Sequence, residues 1–155
     1  MFEQVLENIQ VKEVGNVKHY DENKFGFIIV NDSEFVHKHK AIIALVCTGT
    51  FPPSKREIPI IVVDYHFKHL SPLAKEIVVL HELGHKVDEI QNGFRKGKRS
   101  IKEELRADNF IKEFYPNYMI KEAMEEIFMV QYNVLGHLSE CQKKEIIARL
   151  KNMEG

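Results

Sequence analysis

The sequence predicts an α+β fold, in which a small, mostly antiparallel sheet of about three strands packs on helices. Phe25, Phe27 and Ile29 alternate along the chain as in a half-buried strand. Pro59–Asp64 is a short β-branched run, and Ser71–Gln91 repeats apolar residues at helical spacing. A chain of 155 residues has the length of one domain, which we assign to residues 1–155.

The first third of the chain predicts one helix and a hairpin. Apolar residues at helical spacing indicate an amphipathic helix over residues 2–13, and Gly15 follows as a stop. Val17–Tyr20 and Lys24–Val30 have strand composition and are separated by three polar residues. We expect these two segments to pair as a hairpin.

The middle of the chain allows two interpretations. Residues 35–46 fit a helix, but Ala41–Cys47 fits a buried strand equally well. Thr48–Ile58 contains a glycine and two prolines and predicts a loop, after which Pro59 suits a strand start or a sheet edge.

The second half predicts four helices with clear termini. Ser71 and Pro72 are an N-cap and a first helical residue, and Gly93 supplies the stop. Ser100 and Glu103 form a capping box for the next helix, which Pro116 ends. Two additional C-terminal helices follow, over Tyr118–Leu135 with Gly136 as its stop, and over Ser139–Met153. The last helix has Ser139 and Gln142 as a candidate capping box and an apolar face of Ile146, Ile147 and Leu150.

Composition favours an ordinary globular protein of the cytoplasm. The net charge of -1 gives no general attraction to nucleic acid or membrane, so we expect neither as a partner. Because acidic residues occur early and no long apolar run follows, we expect neither a signal peptide nor a transmembrane span. Cys47 and Cys141 are predicted to be two buried thiols and not a disulfide.

The central motif is His81-Glu82-Leu83-Gly84-His85 within the predicted helix. Two histidines four residues apart share one helix face and can bind one metal ion. Glu82 lies about 100° round the helix, where it can take a proton from a water bound to the metal. The alternative is a polar face with solvated histidines, but the surrounding helix is apolar, and buried histidines need partners or a metal.

A second constellation follows on the next helix. The capping box occupies Glu103, so Glu104 is available as a third metal ligand, one turn before Asp108. Three protein ligands with one open position are typical of catalytic zinc. Asp108 could accept the second ring N–H of a ligand histidine. The alternative is a solvated acidic edge of an amphipathic helix.

Other polar residues remain secondary candidates. The basic loop over residues 94–99 could contact phosphates, although a solvated loop is the simpler interpretation. His37 and His39 could form another metal site, but surface positions fit their spacing better. Candidates for oxyanion stabilisation follow the motif helices, without a means of choosing among them: Tyr115, Tyr118, Tyr132 and His137.

The pattern H-E-L-G-H followed by E-x-x-A-D resembles the gluzincin metallopeptidases, most closely the small ImmA/IrrE type. The resemblance covers roughly residues 58–116 and includes the stretch from Ala107 to Pro116. It implies a zincin-like fold, zinc bound by His81, His85 and Glu104, catalysis by Glu82, and a supporting role for Asp108. It also implies that Ile60–Asp64 is an edge strand that pairs with substrate, and that a DNA-binding repressor is a possible substrate.

We therefore expect a zinc metallopeptidase, an endopeptidase that cleaves a protein or peptide with Glu82 as general base. Two alternatives stay open: a zinc-binding regulatory or interaction module without catalysis, and a nucleic-acid-associated protein that uses the 95–99 loop. The substrate, cleavage site, oligomeric state and control of activity cannot be derived from the sequence.

Overall fold

The structure is a computed structural model that describes residues 10–11, 27–50, 57–93 and 99–154. These residues form strands and helices, so the α+β prediction is confirmed. In chain order the elements are β1 (Gln10–Val11), β2 (Phe27–Asn31), α1 (Ser33–Lys38), β3 (Ala44–Thr50), β4 (Glu57–Val63), a 3₁₀ turn (Phe67–His69), α2 (Pro72–Asn92), α3 (Ile101–Ile111), α4 (Asn117–Leu135) and α5 (Glu140–Asn152).

The described sheet has four strands in the order β1-β2-β4-β3, one more strand than predicted. The β1/β2 and β3/β4 pairs are antiparallel, and the β2/β4 pair is parallel. The connection from β2 to β4 includes β3, which lies on the far side of β4. The expectation of a mostly antiparallel sheet holds for two of its three pairings.

Strand β4 is central, which corrects the expectation of an edge strand at Ile60–Asp64. Its residues pair with β2 on one side and β3 on the other, as in the register Ile28↔Ile60 and Cys47↔Ile60. Residues 60–63 are all buried, so both faces of the sheet are covered at β4. A strand that is buried on both faces needs apolar residues throughout, which explains the composition of β4. Pro59 pairs only with Thr48 of β3 and precedes the β2 ladder, so its missing N–H is tolerated there.

The segment 35–46 divides between a helix and a strand, so neither interpretation of it was complete. Helix α1 ends at Lys38, and β3 begins at Ala44. The predicted loop Thr48–Ile58 is also too long, because β3 continues to Thr50 and β4 starts at Glu57. Pairing with the central strand extends β3 into residues whose local sequence favours a loop.

The N-terminal predictions are tested only in part. Gln10 and Val11 lie in a strand, not in the predicted helix 2–13, because they pair with Ile28 and Phe27. Strand β2 confirms part of Lys24–Val30, but its neighbours are β1 and β4 instead of a hairpin partner. Residues 1–9 and 12–26, including Val17–Tyr20, lie outside the described residues.

The chain forms two compact units, Met1–His69 and Leu70–Gly155, and the single-domain assignment stays a prediction. In the first unit, Val36 of α1 packs with Ile60 and Val62 of β4. In the second unit, helices α2 to α5 form the core. Among the described residues, no helix is long and apolar enough to cross a membrane.

The termini of the second-unit helices match the sequence predictions well. The Ser71 hydroxyl accepts a hydrogen bond from Ala74 N–H, and both serine capping boxes, at Ser100 and Ser139, are formed. Gly93 and Gly136 end α2 and α4 with positive φ values of 85° and 75°. Helix α3 is shorter than predicted: it ends at Ile111, well before Pro116.

Two predictions of side-chain burial are wrong, one for the apolar face of α5 and one for the two cysteines. Ile147 is 64% exposed, whereas Arg149 is buried, so the inner face of α5 carries a cation that the apolar pattern did not predict. Cys141 is exposed and Cys47 is half-buried, and they do not form a disulfide with each other.

Candidate metal centre

Helix α2 places the three polar motif residues inside the second unit. His81, Glu82 and His85 are all buried, and so are the neighbouring apolar residues Leu80 and Leu83. A helix that is apolar on most of its circumference is buried by its neighbours, which carries the motif residues into the interior. Buried ionisable groups require partners, and these come from α3 and α5.

Gly84 allows α3 to approach this part of α2 closely. A Cβ at position 84 would lie 2.7 Å from the Ala107 carbonyl oxygen and 2.9 Å from its Cα. Glycine in the motif and alanine opposite therefore bring two helix backbones together. The separation of the two helices therefore sets the distance between the Glu104 carboxylate and the two histidine rings.

Three potential ligand atoms converge between α2 and α3. Glu104 Oε2 lies 2.8 Å from His81 Nε2 and 3.1 Å from His85 Nε2, and the two Nε2 atoms are 3.0 Å apart. His81, His85 and Glu104 are the group of side chains in the described part of the chain that could hold a metal ion. The structure thus brings together the three side chains that the sequence predicted as metal ligands.

The spacing of these atoms fits a small metal ion. With metal–ligand distances of about 2.0–2.1 Å, ligand atoms at the corners of a tetrahedron are about 3.3 Å apart. The three observed separations of 2.8, 3.0 and 3.1 Å are slightly shorter, so binding would require only a small outward movement. Two imidazole nitrogens and one carboxylate oxygen form a donor set that suits several divalent transition metals.

Asp108 and Arg149 support the histidine pair. Asp108 is fully buried, and its Oδ1 accepts a hydrogen bond of 2.7 Å from His81 Nδ1. The Arg149 Nε and Nη2 groups donate to the two Asp108 oxygens at 2.7 and 3.0 Å. The same guanidinium lies 4.9 Å from the centre of the Phe128 ring. With Nδ1 protonated towards Asp108, a neutral His81 presents the Nε2 lone pair to the ligand cluster.

Arg149 is the site residue that the sequence analysis missed. It lies three residues after Ile146 and four before the buried Met153, so it occupies an inward position of α5. A cation within an apolar helical stripe was the available signal, because a buried arginine needs a carboxylate partner. Its partner, Asp108, is on another helix and could not be inferred from local spacing.

Burial and opposite charges perturb the ionisation of these groups. Burial and the Arg149 cation lower the pKa of His81, but Asp108 and Glu104 outweigh them and raise it to about 9. Burial raises the pKa of Glu104, but its hydrogen bonds to His81 and His85 hold that pKa well below its usual range. Asp108 shows the same balance: burial opposes ionisation, while the charges of Arg149 and His81 lower its pKa.

Glu82 lies beside the cluster without a complete set of partners. Its side chain is 8% exposed, and its Oε2 atom is buried without a hydrogen-bond partner. Leaving a carboxylate oxygen unpaired in the interior costs free energy, and such exceptions in native proteins need an explanation. A role in which Glu82 Oε2 forms its hydrogen bond only to a reacting water or a substrate would explain this unpaired oxygen.

The other candidate residues do not extend the cluster. Tyr118, Tyr132 and His137 are exposed on or after α4, and none is singled out as an oxyanion donor. His37 and His39 are exposed, as expected for surface positions. Residues 94–98 of the basic loop lie outside the described residues, and Arg99 lies 3.5 Å from Glu89.

Comparisons with known proteins provide no relative for this chain. No protein-family description matches the sequence, and neither a curated protein nor a solved structure matches it.

Proposed function

We propose that this protein is a zinc-dependent metallopeptidase of the gluzincin type, with the ion held by His81, His85 and Glu104. The convergence of three ligand atoms within 3.1 Å of one another carries this proposal. Two histidines and one glutamate leave a fourth tetrahedral position open, as catalytic zinc sites do. The motif order and the spacing of Glu104 and Asp108 resemble the ImmA/IrrE type, which supports a zincin-like fold.

Each protein group has a defined role in the proposed hydrolysis. A zinc ion held by His81, His85 and Glu104 would supply Lewis acidity, which activates water near neutral pH and polarises the scissile carbonyl. Glu82 accepts the proton of the attacking water and transfers it to the leaving amine as the C–N bond breaks. Asp108 holds the Nδ1 proton of His81, and Arg149 keeps Asp108 ionised and oriented.

The substitution Glu82→Gln tests the catalytic role. Residue 82 is not one of the proposed metal ligands, and the glutamine amide is nearly isosteric with the glutamate carboxylate. Zinc content and folding of the variant should therefore match those of the wild type. Without a general base, cleavage should fall by about 10²- to 10⁴-fold. His81→Ala is the matched variant that should lose both metal and activity.

The substrate is best sought together with metal analysis. We expect about one zinc per chain, and a set of cellular proteins cleaved by the wild type but not by Glu82→Gln. A DNA-binding repressor among them would support the resemblance to ImmA/IrrE. Stoichiometric zinc without any cleavage would instead favour a zinc-binding interaction module, and cleavage by Glu82→Gln at the wild-type rate would overturn the mechanism.

A further inference from the structure

A cationic surface lies in the first unit, on residues 37–40 and 65–69, which we call the histidine–lysine surface. The first segment is His-Lys-His-Lys and the second is Tyr-His-Phe-Lys-His. Together they contain no acidic residue. All of these residues except His66 and Phe67 are exposed. The net charge of -1 is a sum over the whole chain, so it does not reveal this local excess of basic residues.

The sheet topology brings the two segments together. Strands β2 and β4 are parallel neighbours, so their carboxyl ends lie at the same edge of the sheet, with Asn31 paired to Val63. Ser33 Oγ accepts a hydrogen bond of 2.9 Å from Tyr65 N–H, and His37 Nε2 lies 3.4 Å from Asp64 Oδ2. These contacts fix the segment after β2 against the segment after β4.

The positive charges of this surface are not neutralised within the described ranges. Among the described residues, the ion pairs at this surface are those of Asp64 with His37 and His66, and they involve none of Lys38, Lys40 and Lys68. Asp64 is fully buried, and its Oδ2 atom lies 3.1 Å from His66 Nδ1. Two exposed acids lie nearby along the chain: Asp32, whose Oδ1 accepts a hydrogen bond from Phe35 N–H, and Glu34 on α1. Within the described residues, these three lysine ammonium groups are therefore exposed without an acidic partner.

One lysine occupies a backbone position that normally favours glycine. Lys40 has φ 58°, and the bonds Lys40 N–H to His37 O and Ala41 N–H to Val36 O form a Schellman motif. Glycine or asparagine would fit this position with less strain. The lysine is kept at a conformational cost, which is consistent with a use for its charge.

Aromatic rings accompany the lysines, and those of Tyr65 and His39 are exposed. Tyr65 is 53% exposed, and its ring lies 3.9 Å from that of His66, between centroids. Phe35 and His39 form another ring pair, at 4.3 Å. Lysines bind phosphates, and planar rings provide the stacking surface that single-stranded bases use. An acidic peptide would use the lysines but would gain little from the rings.

We propose that the histidine–lysine surface binds a single-stranded polynucleotide, with Lys38, Lys40 and Lys68 on phosphates and Tyr65 stacked on a base. This binding would be independent of sequence, because neither contact type distinguishes bases. The proposed binding residues all belong to the first unit, whereas the residues of the metal cluster all belong to the second.

Fluorescence anisotropy with labelled oligothymidylate and oligouridylate of about 12 nucleotides tests the proposal with the full-length protein. The triple variant Lys38→Gln/Lys40→Gln/Lys68→Gln should weaken binding at least tenfold at low salt. For single strands the slope of log K against log salt is about 0.7 per phosphate contact, so the slope should fall by about 2. The two oligonucleotides distinguish DNA from RNA as the natural source.

Matched variants separate this interaction from general charge and from misfolding. Lys143→Gln/Lys144→Gln/Lys151→Gln removes three exposed lysines from α5 and should leave the affinity unchanged. Tyr65→Ala should weaken binding at least fivefold, while Tyr65→Phe should retain it. Lys40→Gly should bind more weakly yet unfold at the same or a higher temperature, because it relieves the positive φ.

Several results would overturn the proposal. They are absence of binding to both oligonucleotides at low salt, equal loss of affinity in the two lysine triple variants, and full binding by Tyr65→Ala. Binding of polyglutamate as tightly as either oligonucleotide would assign the surface to an acidic peptide instead.

Discussion

At the level of single residues, the candidate centre depends on a chain of contacts from Arg149 through Asp108 to His81. Each group in this chain is buried, so each needs the next one to compensate its charge or polarity. Asp108 is the common partner, because it contacts both the guanidinium and the imidazole. The geometry of His81 towards Glu104 is therefore set partly by a residue from α5, far along the sequence.

Removal of the Arg149 charge should damage both stability and metal binding. Arg149→Met leaves Asp108 buried without its cation, which should destabilise the protein by about 3–5 kcal/mol. Metal affinity should fall about 10- to 100-fold, because the support of His81 is weakened. Urea unfolding and zinc titration measure the two effects. Arg149→Met/Asp108→Asn should recover part of the stability, and an additive loss would contradict the proposed coupling.

Metal-free protein should become less stable as the pH rises through the titration of His81. The pKa of His81 is raised to about 9 in the folded state, from an ordinary value of 6.5. The protonated form is favoured by folding, so its stabilising contribution is complete below pH 6.5 and is lost as the pH approaches 9. Thermal unfolding with a chelator present measures this change. The variant His81→Gln should lack this decrease, and an equal decrease in both proteins would contradict the assignment.

At the residue level, the sequence anticipated which side chains come together wherever a motif or local geometry fixed the answer. His81 and His85 share a face through helical spacing, and the capping box separated Glu103 from Glu104. Arg149 was missed because its role exists only when α5 packs against α3. No periodic pattern of α5 specifies a carboxylate on another helix.

At the level of elements, the crossing of α2 and α3 determines whether the ligand cluster can form. The two helices come close at Gly84 of α2, which faces the backbone of Ala107 on α3. Ala107 is fully buried at this contact. Glu104 is one turn before Ala107 on α3, so the helix separation controls its distance from His81 and His85.

Gly84→Ala should therefore weaken metal binding as well as folding. The added Cβ would meet backbone atoms of Ala107 at 2.7 and 2.9 Å, so the helices must separate. We expect destabilisation of about 1–3 kcal/mol, as for other overpacked sites, and a clear loss of zinc affinity. Gly93→Ala is the control: it strains a positive φ in open space, so it should lower stability but not zinc affinity. Unchanged zinc binding in Gly84→Ala would contradict this role of the crossing.

Element prediction was accurate for the helices of the second unit and poor for the sheet. Capping residues and apolar periodicity are local signals, and they identified the ends of α2 and α4 closely. Strand β3 and the position of β4 depend on pairing between residues far apart in sequence. Ala41–Cys47 could not reveal its partner, and the apolar run of β4 was compatible with an edge or a centre.

At the level of the whole molecule, all residues of the candidate centre belong to one compact unit. His81, Glu82, His85, Glu104, Asp108 and Arg149 all lie within Leu70–Gly155. The helices of this unit supply both the candidate ligands and their supporting contacts. The α+β class followed from the sequence, but this division of the chain did not.

A fragment of residues 70–155 should therefore bind zinc by itself. We expect helical circular dichroism, and an increase in unfolding temperature on addition of zinc, since a ligand that binds only the folded state stabilises it. The same fragment with His85→Ala should show no zinc-dependent shift. If the folded wild-type fragment does not respond to zinc, residues of the first unit are needed for the centre.

The most direct test of the central claim is anomalous X-ray diffraction from crystals of the zinc-loaded protein. We predict one strong peak per chain, about 2.0–2.2 Å from His81 Nε2, His85 Nε2 and a Glu104 oxygen. A peak elsewhere, or a peak at the histidines with the Glu104 carboxylate turned away from it, would contradict the account.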